Sequence, residues 1–218
     1  TMLNRHKIFS ATIIVLVTSA CTQLNQETPI TNSAKAKTIH EGALVLDAHA
    51  DIEIPGKEDA YAGDDGLSKV EPKKMRAGRV DAVVMAIAVG PGPRTTEGYI
   101  AARKTADEEL AAIIELTSNP NDDVVLVRSA DELKAAHAKN QRALILGFQN
   151  ARILGTDVSA IDDFYLSGVR VFALTHMGHN DFADSSRPVF SAATGTHEAT
   201  EEHGGLSALG RQAITRIT

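Results

Sequence analysis

Short apolar runs recur along the chain at residues 43–46, 82–89, 124–127, 143–148 and 169–174, each too brief for a helix but long enough for a buried strand. Helical patterns fill the intervals. Ala106, Leu110, Ile113 and Ile114 share one face at three- and four-residue spacing, and Asn119-Pro120 closes that helix. Ser129 with Glu132 makes a capping-box pattern ahead of Leu133 and Ala136, and Asp157 heads a helix through Ile161 and Tyr165 that ends at Gly168. Strand alternating with helix predicts an α/β fold with a parallel sheet, either open and doubly wound or closed as a (β/α)8 TIM-type barrel.

Two features favour the barrel. No Gly-rich phosphate loop follows the first strand, so the main signature of a nucleotide-binding open sheet is missing. Moreover His49 and Asp51, then Gln149 and Asn150, then His176 and Asn180 each follow the end of a different predicted strand, and a barrel gathers those ends on one face. The length sets a limit. A complete barrel takes roughly 250 residues, and after an N-terminal leader and tether about 180 remain here, enough for roughly the first five or six βα units. Residues 211–218 form an amphipathic pattern with no Gly, Asn or Pro terminator, and Thr1 stands ahead of Met2. The expectation is an incomplete barrel, the N-terminal part of a longer enzyme.

Composition places the chain outside the cytoplasm. Arg5 and Lys7, the apolar run 8–17 and the small residues Thr18, Ser19 and Ala20 make a secretory signal, too short for a membrane span of roughly 20 apolar residues. Cys21 is the sole cysteine and follows that segment directly, as in a bacterial lipobox, although Thr18 replaces the usual Leu. It is the candidate lipidation site, and no disulfide can form within the chain. Residues 1–21 are thus read as a lipoprotein signal peptide, 22–40 as a flexible polar tether and 41–218 as the barrel domain. The expected location is the bacterial cell envelope, facing the periplasm, with the membrane contacted only through a lipid anchor. The net charge of −6, spread without a basic cluster, argues against nucleic acid. With no Trp and 4% aromatic residues, the core must be built of Val, Ile, Leu and Ala, which suits strands covered by helices.

The candidate chemistry starts at His49 and Asp51. Residues i and i+2 of an extended strand point the same way, so an imidazole and a carboxylate can hold one cation together. Asp47 is either a partner that orients the His49 ring or a strand-end carboxylate.

Leu46-Asp-Ala-His-Ala-Asp51, Lys74-Met-Arg-Ala-Gly78, Gly168-Val-Arg-Val-Phe-Ala-Leu-Thr-His-Met-Gly-His-Asn180, Ala183-Asp-Ser185 and His203-Gly-Gly-Leu-Ser-Ala-Leu-Gly210 together resemble the membrane (renal-type) dipeptidases, peptidase family M19. The resemblance implies a (β/α)8 barrel holding two Zn2+ ions, with His49 and Asp51 on the first, and hydrolysis of a dipeptide by a metal-bound hydroxide. It implies that His176 contacts the substrate or the tetrahedral intermediate. Further metal-ligating histidines, a substrate-binding arginine and a proton-handling aspartate would lie beyond residue 218, and the complete protein could pair as a homodimer. The bridging carboxylate of the family falls at Gln149. An amide carries no charge and cannot bridge two cations as a carboxylate does, so the second ion is expected to be held weakly unless another anion compensates. Asn180 is a candidate for substrate binding, with loop shaping as the alternative. His197, Glu198 and His203 miss the four-residue spacing of a zinc-protease helix. His40 and His137 read as structural or solvated, His179 as a neighbour of the site and not a ligand, and 107–109 as the solvated side of a helix. The competing readings are another metal-dependent amidohydrolase, disfavoured by Asp51 in place of a second histidine, and an inactive truncated lipoprotein.

Overall fold

The computed structural model describes residues 29–54, 56–57, 62–118, 123–191 and 195–218. The chain divides into two units, 1–38 and 39–218. In the first, the described residues belong to helix α1 (Pro29–Gly42), which runs on into the second. The tether expected over 22–40 is therefore helical from Pro29 onward. Residues 33–42 are all exposed, so helix-favouring Ala34, Lys35, Ala36 and Lys37, not burial, support this helix. The signal segment and Cys21 lie outside the described residues.

Residues 39–218 alternate strand and helix as the apolar runs predict, except that the first strand begins where the run 43–46 ends, so that His49 and Asp51 lie within it and do not follow it: β1 (Leu46–Asp51), α2 (Pro72–Gly78), β2 (Ala82–Ile87), α3 (Thr96–Ser118), β3 (Val124–Leu126), α4 (Ala130–Ala138), β4 (Arg142–Phe148), α5 (Ala160–Ser167), β5 (Val169–Phe172), a small hairpin β6 (Phe190–Ser191) and β7 (Thr196–His197), and α6 (Ala208–Ile217). The first five strands form one parallel sheet. β4 pairs β2 along its full length on one edge. Its other edge is shared, with β3 against residues 142–144 and β5 against 146–148. β3 is thus not a stave of its own. Four strands, β1-β2-β4-β5, stand side by side with β3 sharing an edge of β4, a five-stranded parallel sheet that makes only part of an eight-stranded barrel.

The two faces of the sheet differ as a period of two requires. Val83, Met85 and Ile87 of β2 and Leu144, Leu146 and Phe148 of β4 point toward the helices, where Met75, Ala102, Ala106, Ile113, Ile161 and Phe164 cover them. Phe148 meets the edges of Phe164 and Phe172 at centroid distances of 5.7 and 5.1 Å, an arrangement that aromatic quadrupoles favour. The opposite face carries Val84, Ala86, Gly147, Val171 and Ala173, which are smaller and leave room for a site. Gly147 has a steric reason: a Cβ there would lie 3.0 Å from the Val171 Cβ and 3.1 Å from its carbonyl oxygen.

The cap at Ser129 forms as its sequence predicts, its hydroxyl accepting the Glu132 N–H at 3.1 Å. Asp157 instead accepts the N–H and hydroxyl of Ser159 in a turn, and α5 starts after it. Glu109 corrects the reading of 107–109 as solvated. It is 5% exposed and accepts the Ala88 N–H at 2.6 Å, fastening α3 to the end of β2.

At the N-terminal ends of the strands, Asp81 is buried and accepts the Val45 N–H at 2.9 Å and a bond from the Arg142 guanidinium at 3.1 Å. The same guanidinium donates to the Val80 carbonyl at 2.9 Å and to the Asn140 side chain at 2.6 Å. One buried ion pair therefore ties together the starts of β1, β2 and β4.

Candidate active-site cleft

At the opposite, C-terminal end of the sheet, His49, Gln149 and His176 line a cleft of about 300 Å³ floored by Ala48, Val84, Ala86, Gly147, Val171 and Ala173. Active sites of barrels form at this end, where side chains from several strands meet without disturbing the hydrogen-bonded sheet. A larger cavity of about 670 Å³ lies on the helix side, lined by residues such as Met85, Ile113, Leu116 and Leu144. Among the described residues its lining holds no histidine, whereas the candidate donors His49, Gln149 and His176 line the smaller cleft.

His49 Nε2 lies 3.0 Å from Asp51 Oδ1, with the imidazole half exposed and the carboxylate 22% exposed. That separation is a little under the spacing of two donors each about 2.0–2.2 Å from one tetrahedral ion, so the pair fits a shared cation. Asp47 does not orient the ring. Its carboxylate accepts the backbone N–H of His49 at 3.0 Å, which fixes the backbone at the strand end instead. Gln149 is half-buried, and among the described residues no hydrogen bond holds its amide, which leaves its oxygen available as a neutral donor to a metal. His176 is exposed at the rim, with its carbonyl fixed by the Ser185 hydroxyl at 2.5 Å. No group of three or more His, Cys, Asp or Glu converges among the described residues. The donor set therefore fits a metal in kind and holds two charged or imidazole ligands of the three that a catalytic site usually takes.

Asn180 corrects its assignment to substrate binding. It is 2% exposed, its NH₂ donates to Asn150 Oδ1 at 2.8 Å and to the Leu174 carbonyl at 2.7 Å, and its oxygen accepts the N–H groups of Phe182 and Ala183 at 2.9 and 3.1 Å. Nothing remains for a ligand, and the residue shapes the rim.

The loop from 173 to 207 is organised around two side chains. The ring of His179 is buried and accepts the Ser185 N–H at Nδ1, 3.0 Å, so Nε2 carries the proton and donates to the Ala199 carbonyl at 2.8 Å. That pattern makes the ring neutral, and its 3.3 Å approach to Asp184 is a contact with a neutral imidazole, not an ion pair. Asp184 accepts N–H groups from Glu202 at 2.9 Å, His203 at 3.0 Å and Gly205 at 2.9 Å. Desolvation pushes this carboxyl up, but the backbone donors of Gly205, Glu202 and His203 outweigh it and hold the group well below the usual carboxylate range. Nothing local in the sequence marks this role of Asp184, because its donors lie about twenty residues downstream in an aperiodic loop.

Because the folded-state value is depressed, the contribution of Asp184 to loop stability is present above the ordinary aspartate value near 3.9 and is lost as pH falls through the lower folded value. Asp184→Asn is expected to accelerate amide exchange at Glu202, His203 and Gly205 at least roughly tenfold at neutral pH, since hydrogen bonds to a charged acceptor are the strong ones. Protection in the variant should no longer depend on pH below 4. Unchanged exchange at all three amides would remove Asp184 from that role.

Two further contacts frame the mouth of the sheet. Tyr99 donates to Asp181, and burial, followed by that hydrogen bond and charge, pushes the phenol up to about 12. Arg152 is 8% exposed and donates to the carbonyls of Gly90, Pro93 and Gly98 at 3.3, 3.3 and 2.9 Å, holding the loop after β2 over the short 3-10 turn Ala151–Leu154. Gly92 permits this, since a Cβ there would lie 2.6 Å from the guanidinium.

The family model of the membrane dipeptidases, peptidase family M19, matches residues 33–217. The chain belongs to this family. Its members have the TIM-barrel fold and are metallopeptidases, and the four-stave parallel sheet is part of that barrel. Among solved structures, the chain is similar to the probable dipeptidase PvdM from Pseudomonas aeruginosa at 26% identity and a TM-score of 0.75, over 86% of this chain and 47% of that one. The dipeptidase AC, a metallo peptidase of family M19, aligns at 19% identity and 0.61, over 79% and 52%. A metallo peptidase from Rhodobacter sphaeroides, liganded with a phosphinate mimic of the dipeptide L-Ala-D-Ala, aligns at 17% and 0.57, over 79% and 55%. The last two likenesses show the fold. The chain spans about half the length of these structures. None of the curated proteins matches it.

Proposed function

We propose that this chain supplies the first half of the active site of a zinc-dependent dipeptidase, with His49 and Asp51 as ligands of the first ion and His176 facing the substrate. The observation that carries the reading is the 3.0 Å approach of Asp51 to His49, which lines the cleft together with Gln149 and His176, within a chain of this family. Bound zinc would supply an activated water and a polarised carbonyl. The exposed His176 ring, on a rim fixed by Ser185, is placed to donate a hydrogen bond to charge developing on the substrate oxygen. The experiment is dipeptide hydrolysis by the protein expressed from its full reading frame, before and after chelation and with zinc restored. Activity lost and then regained supports the proposal, and undiminished hydrolysis without metal overturns it.

Gln149 bears on the second ion. A unit charge 4 Å from another gains about 4 kcal/mol at an effective dielectric near 20, and realising only half of that is roughly a 30-fold gain in affinity. Gln149→Glu is accordingly expected to raise zinc content toward two per protomer after dialysis against dilute zinc. Equal stoichiometry in the two proteins would show that position 149 touches no metal.

No helix among the described residues is long and apolar enough to cross a membrane. We place the protein on the periplasmic side of a bacterial envelope, anchored by lipid on Cys21. Labelled fatty acid should be incorporated by the wild type and not by Cys21→Ser, and equal labelling would exclude the anchor.

A further inference from the structure

Gln149 and His176 reach the cleft from two rim segments that no sheet pairing joins at that level: β4 ends at Phe148 and β5 at Phe172. Besides one backbone bond, from the Ala151 N–H to the Leu174 carbonyl, the join is made by two side-chain amides, each 2% exposed. Asn150 follows Gln149 directly, and Asn180 lies on the loop four residues beyond His176.

The direction of the bond between them is fixed by their neighbours. Backbone N–H groups can only donate, so the Asn180 atom that accepts from Phe182 and Ala183 must be its oxygen. Its NH₂ therefore faces Asn150 and the Leu174 carbonyl. Asn150 in turn must present its oxygen, because the same atom accepts the Arg152 N–H at 3.1 Å. The Ala151 N–H also reaches the Leu174 carbonyl at 2.9 Å, so both ends of the clamp close on the segment leading to His176.

We propose that Asn150 and Asn180 are positioning residues, a donor and acceptor pair that sets the Gln149 rim and the His176 rim against each other across the cleft. This rests on the reading of that cleft as the reaction site. Position 150 needs only an acceptor, whereas position 180 needs a donor. The same chemical change should therefore have opposite outcomes at the two positions. Asn150→Asp keeps an oxygen for both of its donors. Asn180→Asp keeps the acceptor for Phe182 and Ala183 but turns its second carboxylate oxygen toward Asn150 Oδ1 and the Leu174 carbonyl, where lone pairs oppose one another.

The test is made on the chain without metal or turnover, so it fails or succeeds independently of the dipeptidase reading. Residual dipolar couplings over 149–151 and 174–177 report the relative orientation of the two segments and do not respond to nearby charge. Asn150→Asp should retain the wild-type orientation. Asn180→Asp should reorient 174–177 while couplings in β2 and β4 stay fixed, and Asn150→Ala, which loses the acceptor without gaining charge, should do the same. Should Asn180→Asp not fold, Asn150→Ala carries the test alone. A folded Asn150→Ala protein with both segments unmoved would overturn the proposal, as would Asn150→Asp moving them as far as Asn180→Asp.

Discussion

Asp81→Ala is expected to lower the stability of the sheet by about 3–5 kcal/mol, because it leaves the Arg142 guanidinium buried without its counter-charge. Arg142 is 4% exposed, and of its partners only Asp81 is ionised at 3.1 Å; the Val80 and Asn140 oxygens are dipoles that satisfy hydrogen bonds but not charge. Loss of the carboxylate also frees the Val45 N–H that leads into β1. His137 Nδ1, buried and without a hydrogen bond 3.4 Å from Asp81, cannot compensate, since it is either neutral or a second cation. Denaturant unfolding should show the midpoint falling with little change in slope. The double variant Asp81→Ala with Arg142→Met should recover much of the loss, because an apolar pair removes the orphaned charge. Equal stability of Asp81→Ala and the wild type would mean that water reaches this site. Zinc affinity of the folded fraction should not change, since the pair lies at the end of the sheet remote from His49 and Gln149.

β2 was legible because a parallel strand buried on both faces appears as an unbroken apolar run, and it is buried at all six positions, whereas β1, exposed at its first four positions, begins only where the run 43–46 ends. What the runs could not show is edge sharing. Residues 124–127 look like any other stave, yet only three residues of β3 pair with β4, below the segment taken by β5. That distinction depends on register, which no local pattern encodes. The placement of His49 and Asp51 was legible because the i, i+2 rule is local. Asn180 and Glu109 were not, since their roles are set by partners distant in sequence: Asn150 lies thirty residues before Asn180, and Ala88 twenty-one before Glu109. The polar stretch before residue 41 shows the converse error. A polar sequence without a hydrophobic face reads as a tether, although a helix containing Ala and Lys requires no packed face to form in the described residues 29–42.

His49→Ala is expected to abolish dipeptide hydrolysis by the protein expressed from its full reading frame and to weaken zinc retention at the first site by more than about 100-fold. Changing a group that merely orients a ligand costs about 10- to 100-fold in metal affinity, so deleting the ligand must cost more. Two neighbouring substitutions separate ligation from its surroundings. Asp47→Ala removes only the acceptor of the His49 N–H, so zinc content should stay near the wild-type level. His176→Ala should leave zinc in place and lower kcat by about 10²–10³, the usual effect of losing one donor to a developing oxyanion. The ordering is what the geometry requires: His49 shares a 3.0 Å contact with Asp51, while His176 has no carboxylate partner among the described residues and opens to solvent at the rim. Metal analysis and steady-state kinetics on the three variants decide the matter. Full zinc content in His49→Ala would exclude it as a ligand, and loss of zinc in His176→Ala would move that residue from the substrate to the metal.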